Sequence, residues 1–212
     1  ATVAENGVIT AVGEGSTYIK VKDQNNEVTN AIKVSVTIKN NETQPKVVGG
    51  GYYFAALKGN GTVYTWGYNG SGQLGLGDTN NRTEPTQTNM KAVIDIAAGT
   101  DHTLVLKADG TVWATGLNNY GQLGNGTTEN TNTFQQVKLN ENGDYLENIV
   151  SIAAGYTASY AVTAEGEVYG WGRNDDGELG IGRKSSEINE LYPVKMKKVS
   201  KIIQIAAGAN HA

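Results

Sequence analysis

The sequence contains no cysteine, which excludes disulfide bridges, thiol nucleophiles and zinc sites of the cysteine type. No apolar run approaches the ~20 residues of a membrane-spanning helix, and no signal peptide is recognisable at its start, so we expect no membrane insertion. Positive charge is also scarce, because 17 lysines and arginines face 21 aspartates and glutamates, giving a net charge of −4. Nucleic acid is therefore not an expected partner, since phosphate binding depends on clustered basic residues.

The motifs of the common catalytic sites are missing as well. The sequence has no nucleophile elbow, no Walker loop and no HExxH zinc motif. Its two histidines, His102 and His211, share one position of a repeat without acidic partners at metal-ligand spacing, so a structural role is favoured. The polar run at 174–178 resembles a calcium loop but lacks the bidentate glutamate, and a polar turn is favoured there. We predict a protein that is not an enzyme and that holds no cofactor and no metal.

Glycine, by contrast, is abundant, with 28 residues, and it recurs at a regular period. Three copies of one phrase align without gaps at 47–77, 96–126 and 152–182, and a fourth copy begins at 205. The fullest copy reads IAAGTDHTLVLKADGTVWATGLNNYGQLGNG. A period of about 50 residues indicates a propeller or a solenoid.

Each copy carries turn signals between short alternating strands. Asn60-Gly61 and Asp109-Gly110 separate two apolar runs, a hairpin signal in which both central residues adopt positive φ. The weaker Glu165-Gly166 of the third copy predicts a longer or bulged turn there. A Gly-Gln-Leu-Gly or Gly-Glu-Leu-Gly loop follows and predicts a buried leucine in every copy, namely Leu74, Leu123 and Leu179. The small residues of Ile-Ala-Ala-Gly suit the narrow inner edge of a wedge.

These elements predict an all-β fold, a partial β-propeller of four-stranded blades with about three blades and the start of a fourth. A small amino-terminal β segment precedes it, because apolar and polar positions alternate within residues 1–39. The run ATVAENGVITAVGEGSTYIKVK followed by KVSVTI resembles the second half of a bacterial immunoglobulin-like domain of group 2. Such domains form stalks and spacers of surface proteins, so the resemblance implies an extracellular or cell-surface location in a bacterium.

The predicted organisation has three parts. They are the immunoglobulin-like segment at 1–39, a polar linker at 40–46 and the repeats at 47–212. We place the blades at about 47–93, 94–148 and 149–201, and the start of the fourth at 202–212.

The phrase A-A-G-x-x-H-T-L-x-L-x-x-D-G-T-V-W-x-x-G-x-N-x-x-G-Q-L-G resembles the repeat of the regulator of chromosome condensation family, over Val47 to Ala212. The resemblance implies a seven-bladed propeller. Members of that family include a guanine-nucleotide exchange factor for a small GTPase and secreted bacterial proteins. The repeated glycines, leucines and aromatics correspond to scaffold positions, so the resemblance carries over the fold and no catalytic residue.

Recognition is expected where the copies differ, in the loops. Tyrosine and arginine are favoured at interfaces, and the candidate partner-binding residues are Tyr68, Tyr120, Tyr156, Arg173, Asp175 and Asp176. We predict a module of a bacterial surface or secreted protein that binds a protein or a glycan. The alternative, from the family resemblance, is a regulator of a small GTPase. Self-association through open blade edges is a further hypothesis.

Overall fold

The computed structural model of the chain describes residues 43–184 and 189–212 and, before them, the backbone of four strands. These strands are β1 (Thr2–Val3), β2 (Ile9–Thr10), β3 (Gly15–Lys22) and β4 (Val28–Val36). β1 pairs with β2, and β3 pairs with β4, both antiparallel. Cα proximity divides the chain into the units Ala1–Asn41 and Glu42–Ala212. The side chains and connections of the first unit lie outside the described residues, so the immunoglobulin-like interpretation stays a prediction, as do the domain boundaries.

Three four-stranded antiparallel sheets, here called blades 1, 2 and 3, form the second unit. Blade 1 contains β5 (Lys46–Gly49), β6 (Tyr53–Leu57), β7 (Val63–Gly67) and β8 (Arg82–Gln87). Blade 2 contains β9 (Val93–Ala98), β10 (His102–Lys107), β11 (Val112–Gly116) and β12 (Thr131–Gln136). Blade 3 contains β13 (Ile149–Ala154), β14 (Ala158–Thr163), β15 (Val168–Gly172) and β16 (Glu190–Lys195). Strands pair in chain order from an inner to an outer strand. No helix occurs among the described residues, and the predicted all-β fold of four-stranded blades is confirmed.

The turns between the second and third strands differ from the expected two-residue type. In blade 2, Lys107 N donates to Thr111 O (2.9 Å) and Gly110 N donates to Lys107 O (2.9 Å), and within this loop only the glycine has positive φ, at 79°. This is a three-residue hairpin loop that ends in a left-handed glycine. Blade 3 repeats both bonds, with Gly166 as the left-handed residue. The longer or bulged turn expected at Glu165 is present as this bulged three-residue loop, but it is not particular to the third copy, and the position of Glu165 does not require positive φ.

Apolar side chains fill the space between facing blades. One buried cluster joins blade 1 to blade 2 and includes Leu57 and Val105. A second cluster joins blade 2 to blade 3 and includes Leu123 and Trp171. The three loop leucines predicted to be buried have no exposed surface: Leu74, Leu123 and Leu179. Truncating such a side chain to alanine costs about 2–5 kcal/mol, so these loops are part of the core.

The inner strands approach so closely that only glycine fits at their ends. A Cβ added to Gly50 would lie 2.5 Å from the carbonyl oxygen of Gly99. A Cβ on Gly99 would lie 2.7 Å from Gly155 O, and one on Gly155 would lie 2.9 Å from Gly208 O. Real Cβ atoms do not come this near to a main-chain oxygen. Glycine therefore recurs at this position because the backbones of neighbouring blades are in contact there.

Each blade is also connected to the next on the side of the hairpin turns. The residue before the inner strand has a left-handed backbone, at Ala92 (φ 55°) and at Asn148 (φ 59°). Val93 N then donates to Gly61 O of the preceding blade (3.1 Å), and Ile149 N makes the equivalent bond to blade 2 (3.1 Å). Neighbouring blades are thus joined at both ends of the sheet as well as through their faces.

Candidate binding face

Two loops of every blade lie at the same end of the sheet, opposite the hairpin turns. One joins the inner strand to the second strand, and the longer one joins the third strand to the outer strand. Backbone hydrogen bonds connect them, such as Tyr68 N to Tyr52 O (2.9 Å) and Arg173 N to Thr157 O (3.1 Å). We call these loops together the loop face. It comprises residues 50–52, 68–81, 99–101, 117–130, 155–157 and 173–184.

A buried asparagine holds each long loop in shape. In blade 2, Asn118 Oδ1 accepts from Leu123 N (2.9 Å), and its Nδ2 donates to Thr127 O (2.9 Å). The same bond to the backbone of the loop leucine is made, at 3.0 Å, by Asn69 and Asn174. Asn174 belongs to the run that resembles a calcium loop, and its side chain is used inside a polar turn. The loops are therefore rigid supports for the side chains that they expose.

Buried polar groups join blades 1 and 2 just beneath the loop face. Tyr53 OH donates to His102 O (2.5 Å), and Thr103 Oγ1 donates to Gln73 O (2.8 Å). Gln73 Nε2 in turn donates to Asp101 Oδ1 (2.9 Å). Burial raises the pKa of Tyr53, and it also raises the pKa of Asp101 although the bond from Gln73 opposes this. Every one of these groups has a partner across the junction.

A similar set of groups joins blades 2 and 3. Ser159 Oγ donates its one proton to Gln122 O (2.7 Å). It must therefore accept from His102 Nε2 (3.0 Å), and the ring proton of His102 is on Nε2. Trp171 Nε1 also donates to Gln122 O (2.9 Å). Burial lowers the pKa of His102 to about 4, so the ring is neutral at pH 7. This hydrogen-bonded position in the blade agrees with the structural role favoured from the sequence.

All six residues selected from the sequence lie on the loop face, and three of them are in contact. The Arg173 guanidinium lies 5.9 Å from the centre of the Tyr120 ring, within cation–π range. Arg173 Nε donates to Asp175 Oδ2 (2.6 Å), and this bond raises the pKa of Arg173. The three side chains form a connected group across blades 2 and 3. Their role as partner contacts stays a prediction.

The other three selected residues lie apart from this group. Asp176 is exposed, and its backbone N–H donates to Glu178 Oε2 (2.9 Å). Tyr68 is 44 % exposed and its ring folds over Gly70. Tyr156 is 51 % exposed, and its N–H donates to Ala209 O (2.7 Å). The selected residues therefore form one connected group and three separate positions.

The sequence analysis missed Tyr52, the most exposed tyrosine of the loop face, with 82 % of its surface accessible. It lies beside Tyr68, because the two are linked through the backbone bond described above. Asp101 and Thr157 occupy the same position in blades 2 and 3. The signal that could have found Tyr52 is the variation between copies that selected the other residues.

The inner edge of the loop face is shallow and lined mainly by small residues. A shallow depression of about 330 Å³ at its inner edge is lined by glycines, alanines, Thr100 and Tyr156, which include no acid–base pair. In the part of the chain that the structure describes, no group of three or more His, Asp or Glu could hold a metal ion. Within that same part, no helix is long and apolar enough to cross a membrane.

Stacked four-stranded blades with rigid loops at one end define a repeat protein of the β-propeller class. Sequence comparison gives the family. A model described as "Regulator of chromosome condensation (RCC1) repeat" matches residues 60–106, 109–162 and 165–212. A second model of this repeat matches 46–73, 93–122 and 149–178. The chain belongs to the RCC1 repeat family, as the resemblance implied. The first model runs from the hairpin turn of one blade into the second strand of the next, so each sequence repeat spans two blades.

Two curated relatives are similar to most of the repeat region. The Ultraviolet-B receptor UVR8 of Arabidopsis thaliana is 30% identical over 167 residues, which cover 76% of this chain and 37% of the receptor. The human E3 ubiquitin-protein ligase HERC2 is 33% identical over 162 residues, which cover 76% of this chain and 2% of the ligase. The chain thus spans only a minor part of the length of these relatives.

A solved structure supports the fold. Prp20p from Saccharomyces cerevisiae superposes with a TM-score of 0.66 at 24% identity, covering 93% of this chain and 50% of that chain. At this identity the likeness concerns the fold alone.

Proposed function

We propose that this chain is a non-enzymatic module that binds another protein through its loop face. The observation that carries the proposal is a set of exposed tyrosines, Tyr52, Tyr68 and Tyr156. Tyr68 lies on a long loop that the buried Asn69 holds in shape, and the short loops that carry Tyr52 and Tyr156 are tied by backbone hydrogen bonds. Large aromatic side chains with a polar tip supply much of the energy of protein interfaces. A rigid loop loses little conformational entropy when it binds.

The similar proteins support a protein-binding role. The description of the Prp20p structure refers to that protein's binding of Gsp1p and histones. HERC2 is named as a ligase, but the similar region is 2% of its length, so that name does not argue for an enzyme here. The net charge of −4 also favours a protein partner over nucleic acid.

The test compares capture of partners by the intact 212-residue chain and by two variants. The loop-face variant carries Tyr52→Ser, Tyr68→Ser and Tyr156→Ser. The control variant carries Tyr145→Ser, which removes a tyrosine of similar exposure (45 %) outside the loop face. We expect the affinity for a captured and identified protein to fall about tenfold or more in the loop-face variant and to stay unchanged in the control.

Three results would contradict the proposal. Equal loss in both variants would place the binding surface elsewhere. Retention on a glycan array but not on protein partners would favour the glycan alternative. Accelerated nucleotide release from a small GTPase would favour the regulator predicted from the family.

We also propose that the module acts outside the cell. The support is the resemblance of residues 1–39 to a bacterial immunoglobulin-like spacer. If this is correct, protease added to intact cells of the source organism removes the loop-face epitopes. Protection of those epitopes until the cells are lysed would overturn this part of the proposal.

A further inference from the structure

Gln73 and Gln122 hold the same position in the long loops of blades 1 and 2, and both are fully buried. In each, the side-chain oxygen accepts a backbone N–H two residues earlier, from Ser71 (3.0 Å) or Tyr120 (2.9 Å). With the oxygen fixed in this way, the amide nitrogen is left to donate toward the neighbouring blade. In the first case it does so, to Asp101 Oδ1 (2.9 Å).

The second case lacks the acceptor. The position of Asp101 is taken by Thr157 in blade 3, whose side chain is shorter and carries no carboxylate. Gln122 Nε2 is buried and has no hydrogen-bond partner among the described residues. Leaving a buried donor without a hydrogen bond is unfavourable, because the donor has lost its bonds to water. The junction of blades 2 and 3 therefore contains a donor aimed at a place where the preceding junction holds a carboxylate.

Blade 3 carries an arginine beside Thr157, and the equivalent positions of the other two blades carry no charge. Arg173 N donates to Thr157 O (3.1 Å), and the Arg173 guanidinium lies over Tyr120, whose N–H is bound by the Gln122 side chain. Blades 1 and 2 have tyrosine and leucine at the position of Arg173. The orphan amide and the guanidinium thus belong to one contact network.

Two of the acidic side chains around this place already accept hydrogen bonds. Asp175 accepts from Arg173 Nε (2.6 Å), and Glu178 accepts from Asp176 N (2.9 Å). Asp175 is partly exposed, so a ligand oxygen can share or replace it at the guanidinium. Arginine has further N–H donors for this purpose.

We propose that Gln122, Thr157 and Arg173 form a notch that binds a carboxylate of the partner, in the place that Asp101 fills at the preceding junction. The carboxylate belongs to an aspartate or glutamate side chain or to a chain terminus. The proposal deepens the proposed function, because it adds an acidic group to the partner of the loop face.

The direct test follows the side-chain amide signals of the two glutamines by NMR in the intact chain. Sodium acetate is the probe, and sodium chloride and acetamide at equal concentration are the controls. The Gln122 side-chain amide shifts with acetate in a saturable way and is unaffected by either control, while the Gln73 amide, which already has Asp101, does not shift. Equal shifts of both amides, or no shift at Gln122, would overturn the proposal.

Two substitutions exchange the two sites. Thr157→Asp supplies the carboxylate within the chain, so the Gln122 amide moves toward the position of Gln73 and no longer responds to acetate. Asp101→Thr frees the Gln73 amide, but this junction has Leu117 at the position of Arg173, so Gln73 should respond to acetate more weakly than Gln122 does. If Thr157→Asp folds poorly, Gln122→Leu removes the donor without adding charge, and the readout is then the backbone amide signals of Thr157 and Arg173, which shift with acetate in the original chain and no longer shift in this variant. An acetate response that persists in Gln122→Leu would contradict the assignment.

Peptides separate the two sources of the carboxylate and separate this proposal from the broader one. A peptide with an internal aspartate and blocked ends competes with acetate if side chains bind, and a peptide with a free carboxyl end and no acidic residue competes if termini bind. If partner binding is lost in the tyrosine variant but unchanged in Thr157→Asp, the protein-binding function is supported and the carboxylate notch is refuted.

Discussion

The junction of blades 1 and 2 and the junction of blades 2 and 3 share a scaffold and differ in one polar pair. Both have close-packed glycines at the inner edge, an apolar core and a hydroxyl that donates to a glutamine carbonyl, from Thr103 or Ser159. Only the first has a carboxylate for the glutamine amide, from Asp101. The blades therefore pack in the same way with or without the hydrogen bond between a glutamine amide and a carboxylate. In our proposal a carboxylate of the partner supplies the missing acceptor at the second junction.

In blade 3 a side chain of the same blade takes the place of the hydroxyl that the next blade supplies at the other two junctions. Its long loop carries Glu178 where the other blades have glutamine, and the Glu178 carbonyl accepts from Tyr160 OH of the same blade (3.1 Å). The residue equivalent to Thr103 and Ser159 in the fourth copy is Ala212, which has no hydroxyl. Burial, with a smaller contribution from the Glu178 charge, raises the pKa of Tyr160 to about 12.

The shared part of the two junctions predicts the largest effect. Gly50→Ala and Gly99→Ala each place a Cβ within 3 Å of a carbonyl oxygen of the next blade, and a main-chain oxygen cannot rotate away. We expect each to lower the free energy of unfolding by about 4 kcal/mol, the range of exceptional core disruptions. Urea denaturation measures it. Gly59→Ala is the control, because its Cβ would make only ordinary contacts. If only one of the two variants lost stability, the two junctions would not share the same close packing.

The histidine that links both junctions predicts a dependence on pH. The pKa of His102 is about 4 in the folded chain, below its ordinary 6.5, so between these values the unfolded state binds a proton that the folded state does not. The free energy of unfolding therefore falls, by about 3 kcal/mol in total, as pH drops from 6.5 to 4. Denaturation midpoints across this range measure the loss.

His102→Gln is the matched variant for that experiment. Its amide can still donate to Ser159, and it does not titrate. The variant should not lose stability between pH 6.5 and 4, and Asp101, whose pKa is raised by burial, contributes a slope of opposite sign toward the lower end of that range. An equal fall in both proteins would assign the effect to other groups. The carboxylates whose pKa is lowered, such as Asp78 and Glu167, weaken the fold only at pH values below their ordinary pKa.

The fold was accessible from sequence because its signals are local and repeated. Regular glycines and the loop leucines, such as Leu123, predicted the blades. The type of hairpin turn was not predictable, because Asn-Gly and Asp-Gly also end three-residue loops. The hydrogen bond that decides the type in blade 2 joins Lys107 N to Thr111 O. The candidate residues were predicted to lie on loops, and the structure has all six at one end of the blades. The orphan amide of Gln122 could not be predicted, because it depends on which residue faces it across a junction. That residue, Thr157, belongs to another repeat, and no local pattern identifies the pair.

The polar pair that differs predicts a smaller effect on stability. Asp101→Thr removes the acceptor of Gln73 Nε2 and makes the first junction resemble the second. Leaving that buried donor unsatisfied lowers the free energy of unfolding by about 1–3 kcal/mol, measured by urea denaturation at pH 7. Asp101→Asn keeps an acceptor oxygen and should recover most of the loss. A neutral Asp101→Thr would mean that the bond contributes nothing in the folded chain.

The smallest effect is expected on the opposite side of the blades, where Ala92 and Asn148 both have left-handed backbones before an inner strand. For alanine this conformation costs about 1–2 kcal/mol, and glycine removes that cost while it adds about 0.5–1 kcal/mol of unfolded-state entropy. Ala92→Gly should therefore stabilise the chain by about 0.5 kcal/mol. Asn148→Gly should gain less, because asparagine tolerates this backbone better. Thermal denaturation of both variants measures the difference, and destabilisation by Ala92→Gly would show that the methyl group contributes more through packing than it costs in strain.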